Sequence, residues 1–288
     1  MSSESTKPVA APPPSPVSVR KQLRYGAGPV EVPAPGEAPL LLDLYRPKNA
    51  ARPRPAVIFI HGGGFRSGSR EDPEAVRTSR ALARSGIVTA SIDYRVQFQR
   101  PVPSKRFAPL VPRVVPPPSV PPSADFSRAA VTTVEDTLTA IRYLRGHARR
   151  LGIDPGRIGL VGGSAGAITA DHIAYVLDDY GIEPPKISFV GSLWGAILIQ
   201  SRDGGNAASQ LEEGEAPLFA AHGDRDPSIP VEMSDDLVAR ARAQHVPSEY
   251  VRISGGGHDP PTFFTGGVSG KETGLQRLVA FAVAQLRP

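Results

Sequence analysis

Short apolar runs alternate along the chain with stretches of helical periodicity. VIFI at residues 57–60 is four β-forming residues without a polar interruption, the pattern of a strand buried on both faces. IVTASIDYR at 87–95 reads the same way, and LLLDLYRP at 40–47 reads as a strand stopped by its proline. Further strands are predicted in RIGLV (157–161), KISFVGSLWG (186–195), APLFAAHG (216–223) and SEYVRISG (248–255). Helical patterns fill 74–85, 125–151, 167–177, 231–244 and 275–286. In the longest of these, Ala129, Val134, Leu138, Ile141, Leu144 and Ala148 recur mostly at three- and four-residue steps. Strands alternating with helices predict an α/β protein built of βαβ units, with a mostly parallel sheet covered on both faces. Ligands bind such sheets at the carboxyl ends of the strands.

The pattern fails in two places. Residues 1–20 are rich in Pro, Ser and Ala with little to bury, and are expected to be a disordered tail before a single domain at 21–288. Residues 96–123, VQFQRPVPSKRFAPLVPRVVPPPSVPPS, carry no period at all. Loops beyond about 12–15 residues without secondary structure tend to be functional or disordered. Phe98, Phe107 and Leu110 are interleaved with the prolines, so two expectations stand open: a stiff flap that could act as a lid, or a disordered insertion.

Composition narrows the chemistry. The 288 residues contain no cysteine, which removes disulfides, thiolate metal sites and cysteine nucleophiles. The formal net charge of +5 is unevenly placed: residues 1–24 carry a net +3 and residues 96–124 a net +4, so the remaining body is slightly acidic. Basic appendages on a balanced body argue against a nucleic-acid partner. No run approaches the ~18 apolar residues of a membrane span, and the N-terminus lacks an apolar signal region, so a cytoplasmic location is expected. No cofactor and no metal site are expected.

Candidate chemistry gathers just after the predicted strands. GGSAG at 162–166 fits G-x-S-x-G between a strand and a helix, the setting of a nucleophile elbow that exposes Ser164. A serine hydroxyl needs a base to take its proton. Of six histidines, His258 follows the last predicted strand on a glycine-rich loop and is the expected base. His61 and His222 are expected to be structural hydrogen-bonders, and His147, His172 and His245 to be packed or solvated. The imidazole needs a carboxylate to fix its tautomer. Asp226 is expected in that role, with Asp224 as the alternative; Asp259 is too close in sequence to His258. The three glycines after VIFI form bare backbone, and the N–H groups of Gly63, Gly64 and Ala165 are expected to hold an oxyanion. Phe65, Trp194, Phe263 and Phe264 are candidate pocket walls, each equally explicable as core.

HGGGF at 61–65, GGSAG at 162–166, HGDRD at 222–226 and His258 resemble the motifs of the α/β-hydrolase superfamily, within it the hormone-sensitive-lipase-like and feruloyl-esterase-like carboxylesterases. LDLYRP and SIDYR resemble the same group. The resemblance implies an eight-stranded, mostly parallel sheet with helices on both faces, and metal-free hydrolysis of a small-molecule ester through an acyl-enzyme. Three departures stand out. Gly163 lies where relatives often carry His, Asp or Glu, residues 96–123 are inserted, and the segment before the first strands is short. Other readings are a non-hydrolytic enzyme or binding protein of this fold, and a small-molecule amidase or peptidase.

Overall fold

VIFI is apolar throughout because its residues divide between two cores. The computed structural model describes residues 16–48, 53–204, 207–267 and 272–287. Its strands are β1 (Val17–Val30), β2 (Gly36–Pro47), β3 (Arg54–Ile60), β4 (Val88–Ile92), β5 (Ile153–Gly163), β6 (Val190–Leu193), β7 (Leu218–Gly223) and β8 (Ser248–Ile253). They form one sheet in the order β1-β2-β4-β3-β5-β6-β7-β8, parallel from β4 to β8 and antiparallel at β1–β2 and β2–β4. Along β3, Ile58 and Ile60 face one core and Val57 and Phe59 the other, as the two-residue period of a strand requires.

Helices α1 (Pro73–Arg84), α2 (Ala124–Gly146), α3 (Ala148–Leu151), α4 (Ala165–Tyr175), α5 (Val231–Ala243), α6 (Thr262–Thr265) and α7 (Gly274–Gln285) complete the layers. The larger core joins the sheet to α2, α4 and α5 through residues such as Val134, Ile173 and Leu237. The smaller joins it to α1 and α7 through Leu82, Leu278 and Phe281. The eight-stranded, mostly parallel sheet with helices on both faces is thus the expected architecture.

Several boundaries differ from the sequence reading. β1 begins at Val17, so residues 17–20, expected in the tail, pair with the end of β2 from Val17↔Pro47 to Arg20↔Leu44. Residues 1–15 of that expected tail lie outside the described residues. The long helix expected over 125–151 is broken at His147 into α2 and α3.

Residues 96–123 fold as 3-10 turns at Gln97–Gln99 and Ala108–Arg113 joined by further turns and irregular chain. Phe107, Leu110 and Val114 are buried in the larger core. Arg95 ties the start of the segment to α2 through Asp136, at 2.8–3.1 Å, and donates to the carbonyls of Pro29 and Val102. Further on, the Val115 amide donates to the Leu198 carbonyl at 2.8 Å and the Ser119 hydroxyl to the Ser228 carbonyl at 2.5 Å. The segment therefore runs over the carboxyl ends of the strands to the loop after β7.

Candidate active site

Ser164 occupies the turn between β5 and α4 with φ 52° and ψ −120°, a region that non-glycine residues rarely adopt. So tight a turn requires bare backbone at both ends. A Cβ on Gly162 would stand 2.2 Å from the Gly166 carbonyl carbon, and one on Gly166 2.0 Å from the Ile60 oxygen.

The structure brings Ser164, His258 and Asp226 into one hydrogen-bonded line. His258 Nδ1 lies 2.6 Å from Asp226 Oδ2, and His258 Nε2 lies 2.9 Å from Ser164 Oγ. An ionised carboxylate only accepts, so Nδ1 carries the proton and Nε2 is left to accept from the serine hydroxyl. Asp226 itself is fully engaged. Its Oδ1 accepts the amides of Ser228 at 2.7 Å and Ile229 at 3.0 Å, and its Oδ2 is also 3.1 Å from His222 Nε2. Burial would raise this carboxyl, but the hydrogen bonds from His222, His258 and the two amides outweigh it and hold the group far below the usual carboxylate range.

Asp224, the alternative acid, is turned elsewhere. Its Oδ1 accepts the Gly255 amide at 2.7 Å and its Oδ2 stands 3.6 Å from Arg252, so it braces the loop after β8. Asp259 lines the pocket beside His258 without orienting it.

The HGGG loop lies directly beneath the serine. Gly63 and Gly64 have φ of 103° and 61°, and a Cβ on Gly63 would collide with the Ser67 carbonyl at 2.2 Å. Among the described residues, no hydrogen bond engages the N–H groups of Gly63, Gly64 or Ala165. All three residues line the pocket that contains Ser164. These amides are uncommitted and stand beside the serine.

That pocket has a volume of about 460 Å³. Phe65 and Trp194 line it, with Phe126, Ile168 and Ile229 and with Pro117, Ser119 and Val120 of the inserted segment. Phe263 and Phe264 do not. Phe263 is fully buried edge-on to Trp194 at 5.5 Å, and Phe264 packs against Phe263 and beneath Arg77. The Pro260–Pro261 turn directs both rings into the smaller core, where they back the tryptophan rather than face the cavity. A larger groove of about 900 Å³ shares Gly63 but neither Ser164 nor His258, so the smaller pocket is the one at the chemistry.

The other histidines hold the scaffold. His61 is buried, stacks on Tyr94 at 4.1 Å, and sits 2.7 Å from the Gly62 carbonyl; burial lowers its pKa. His222 Nε2 faces two acceptors, Asp226 Oδ2 and the Ile229 carbonyl, so it carries a proton, while Nδ1 lies 2.7 Å from Ser234 Oγ. His172 is buried, accepts the Leu198 and Ile199 amides, and is lowered by that burial to about 3. His147 caps its own helix at the Tyr143 carbonyl, and His245 is exposed.

His222 is the structural hydrogen-bonder expected, and its partner was legible as the i,i+4 spacing within HGDRD. Glu74, which also lines the pocket, carried no local signal.

The sheet order, with a serine on the turn after β5 and a histidine and an aspartate on the loops after β8 and β7, is that of the α/β-hydrolase fold. The BD-FAE family model matches residues 42–106 and 125–192, leaving out the second half of the proline-rich segment. Esterase LipI of Mycobacterium tuberculosis is 29% identical over 57% of this chain and 41% of its own length. Esterase LipC of the same organism is 27% identical over 83% of this chain and 59% of its own length. The chain thus spans about half the length of these curated relatives. Among solved structures, a propionate-bound esterase from Thermogutta terrifontis, Est2, superposes with a TM-score of 0.66 at 24% identity, covering 94% of this chain and 96% of that one. The same organism's esterase 2 phosphonylated by cyclosarin superposes at 0.61, with 22% identity over 94% and 96%.

Proposed function

We propose that this protein is a serine hydrolase that cleaves carboxylic esters of small molecules through an acyl-enzyme. The observation that carries the reading is the hydrogen-bonded line from Ser164 through His258 to Asp226, set beside three uncommitted amides. The names of the relatives support it, and so does the phosphonylation described for the Thermogutta esterase.

In this reading Ser164 Oγ attacks the ester carbonyl carbon while its proton passes to His258 Nε2. The carbonyl oxygen becomes an alkoxide facing the amides of Gly63, Gly64 and Ala165. Asp226 stays ionised throughout, stabilising the imidazolium. Collapse of the tetrahedral intermediate breaks the bond to the alcohol oxygen, which takes the proton from Nε2. A water then repeats the sequence, releasing the carboxylic acid and restoring Ser164. Every proton and charge is carried by a named group, so no metal or organic cofactor is required. A pocket of about 460 Å³ suits a small-molecule ester.

Ser164→Ala is expected to lower kcat/KM for 4-nitrophenyl butanoate by about 10⁴-fold or more while leaving the circular-dichroism melt unchanged. Retained turnover in that variant would sink the assignment. Faster cleavage of a matched anilide than of the ester would make the protein an amidase instead.

A further inference from the structure

Glu74 enters the serine pocket from the first turn of α1, opposite Gly163. A Cβ on Gly163 would lie 2.3 Å from Glu74 Oε1. The glycine before the nucleophile therefore leaves its space to a carboxyl from another element. Among the described residues, Oε1 is buried and has no hydrogen-bond partner. An unpaired buried oxygen costs about 1–3 kcal/mol, so its persistence beside Ser164 calls for a function.

The pocket is drawn from both cores. Phe65, Phe126 and Ile229 belong to the larger core and give one apolar wall. Trp194 belongs to the smaller core, and Glu74 and Asp259 also line the pocket. Burial, with the carboxylates of Asp259 and Asp72 nearby, raises the Glu74 carboxyl to about 8. Burial likewise raises Asp259, against the opposing influence of His258 and Arg77. At neutral pH Glu74 is thus a neutral acid, with one O–H to donate and a carbonyl oxygen to accept. A hydroxyl group has the same two capacities.

We propose that Glu74, seated in the space left by Gly163, is a specificity-determining residue that hydrogen-bonds a hydroxyl on the alcohol half of the ester. The assignment to the alcohol half follows from proton flow. The departing oxygen takes its proton from His258 Nε2, so its substituent lies beside His258 and Asp259, the carboxyl whose charge bears on Glu74. The inference rests on the esterase reading above.

The test compares 2-hydroxyethyl butanoate with propyl butanoate, which differ by a hydroxyl in place of a methyl. In Glu74→Leu the ratio of their kcat/KM values falls about tenfold relative to wild type, the size of one lost hydrogen bond. Glu74→Gln, which keeps a donor and an acceptor, holds the ratio within about twofold. Should Glu74→Leu fail to fold, Gly163→Ala puts a methyl against the same oxygen and lowers the same ratio. A ratio unchanged in Glu74→Leu, or in Gly163→Ala where Glu74→Leu does not fold, overturns the proposal. So does a shift confined to a hydroxyl on the acyl side, read with 4-nitrophenyl 3-hydroxybutanoate against the butanoate. Failure of the esterase reading looks different: wild type then cleaves neither ester and takes no fluorophosphonate label.

Discussion

Glu74 and Asp226 are two carboxyls near one serine, driven in opposite directions by their surroundings. Asp226 has four hydrogen bonds and stays ionised; Glu74 Oε1 has none, and the group holds its proton. The stability consequence at Glu74 has a definite sign. Below about pH 4.5 both folded and unfolded chains hold the proton. Between there and about pH 8 the unfolded chain releases it and the folded protein does not, so stability falls; above about 8 the deficit is constant. Asp72 and Asp259 face the same group and share in setting that window. Glu74→Gln lacks this term, so its melting temperature should gain on wild type as pH rises from 5 to 8. After allowance for partial exposure, the gain corresponds to about 2–3 kcal/mol. A gap that stays flat across this range would show that Glu74 is ionised in the folded protein. At this scale Ser164, His258 and the HGGG glycines were legible because each sits in a short motif at a strand end. Glu74 was not, because what distinguishes it is its approach to Gly163 across 89 positions of sequence, which no local pattern records.

Among the elements, buried strands announced themselves and edge strands did not. VIFI is apolar at every position because both its faces are covered. β1 is an edge strand carrying Arg20, Lys21 and Arg24, held mainly by backbone pairing to β2, and its register shifts twice. Its alternation of Val17, Val19, Leu23 and Tyr25 with polar residues is interrupted at Lys21 and follows directly on a Pro/Ser/Ala run, so its first residues looked like tail. Residues 96–123 show the converse problem. Prolines removed every periodic cue, yet Phe107, Leu110 and Val114 anchor the segment to the larger core, while Pro117, Ser119 and Val120 reach the pocket. We therefore propose that this segment is a fixed wall of the site rather than a loose insertion. Leu110→Ala should lower stability by about 2–4 kcal/mol in urea unfolding, as expected for a leucine 1% exposed. A cost below about 1 kcal/mol would mean that the segment packs loosely.

On the scale of the whole molecule, the site lies where the two cores meet at the carboxyl ends of the strands, as the parallel sheet predicts. The larger core supplies Phe65 and Phe126 to the pocket and the smaller core Trp194, while the Glu74 carboxyl adds a polar group beside Gly163. A substrate with two unlike halves, an acyl chain and an alcohol, suits such a cavity. Among the described residues, no helix is long and apolar enough to cross a membrane. The central claim is that Ser164 is the nucleophile, and covalent trapping tests it most directly. Incubation with a fluorophosphonate followed by mass spectrometry should add one phosphonyl group per chain, on the tryptic peptide 158–186 that contains Ser164, with activity lost in step. Label on another residue, or none from a preparation that is turning over ester, would contradict it.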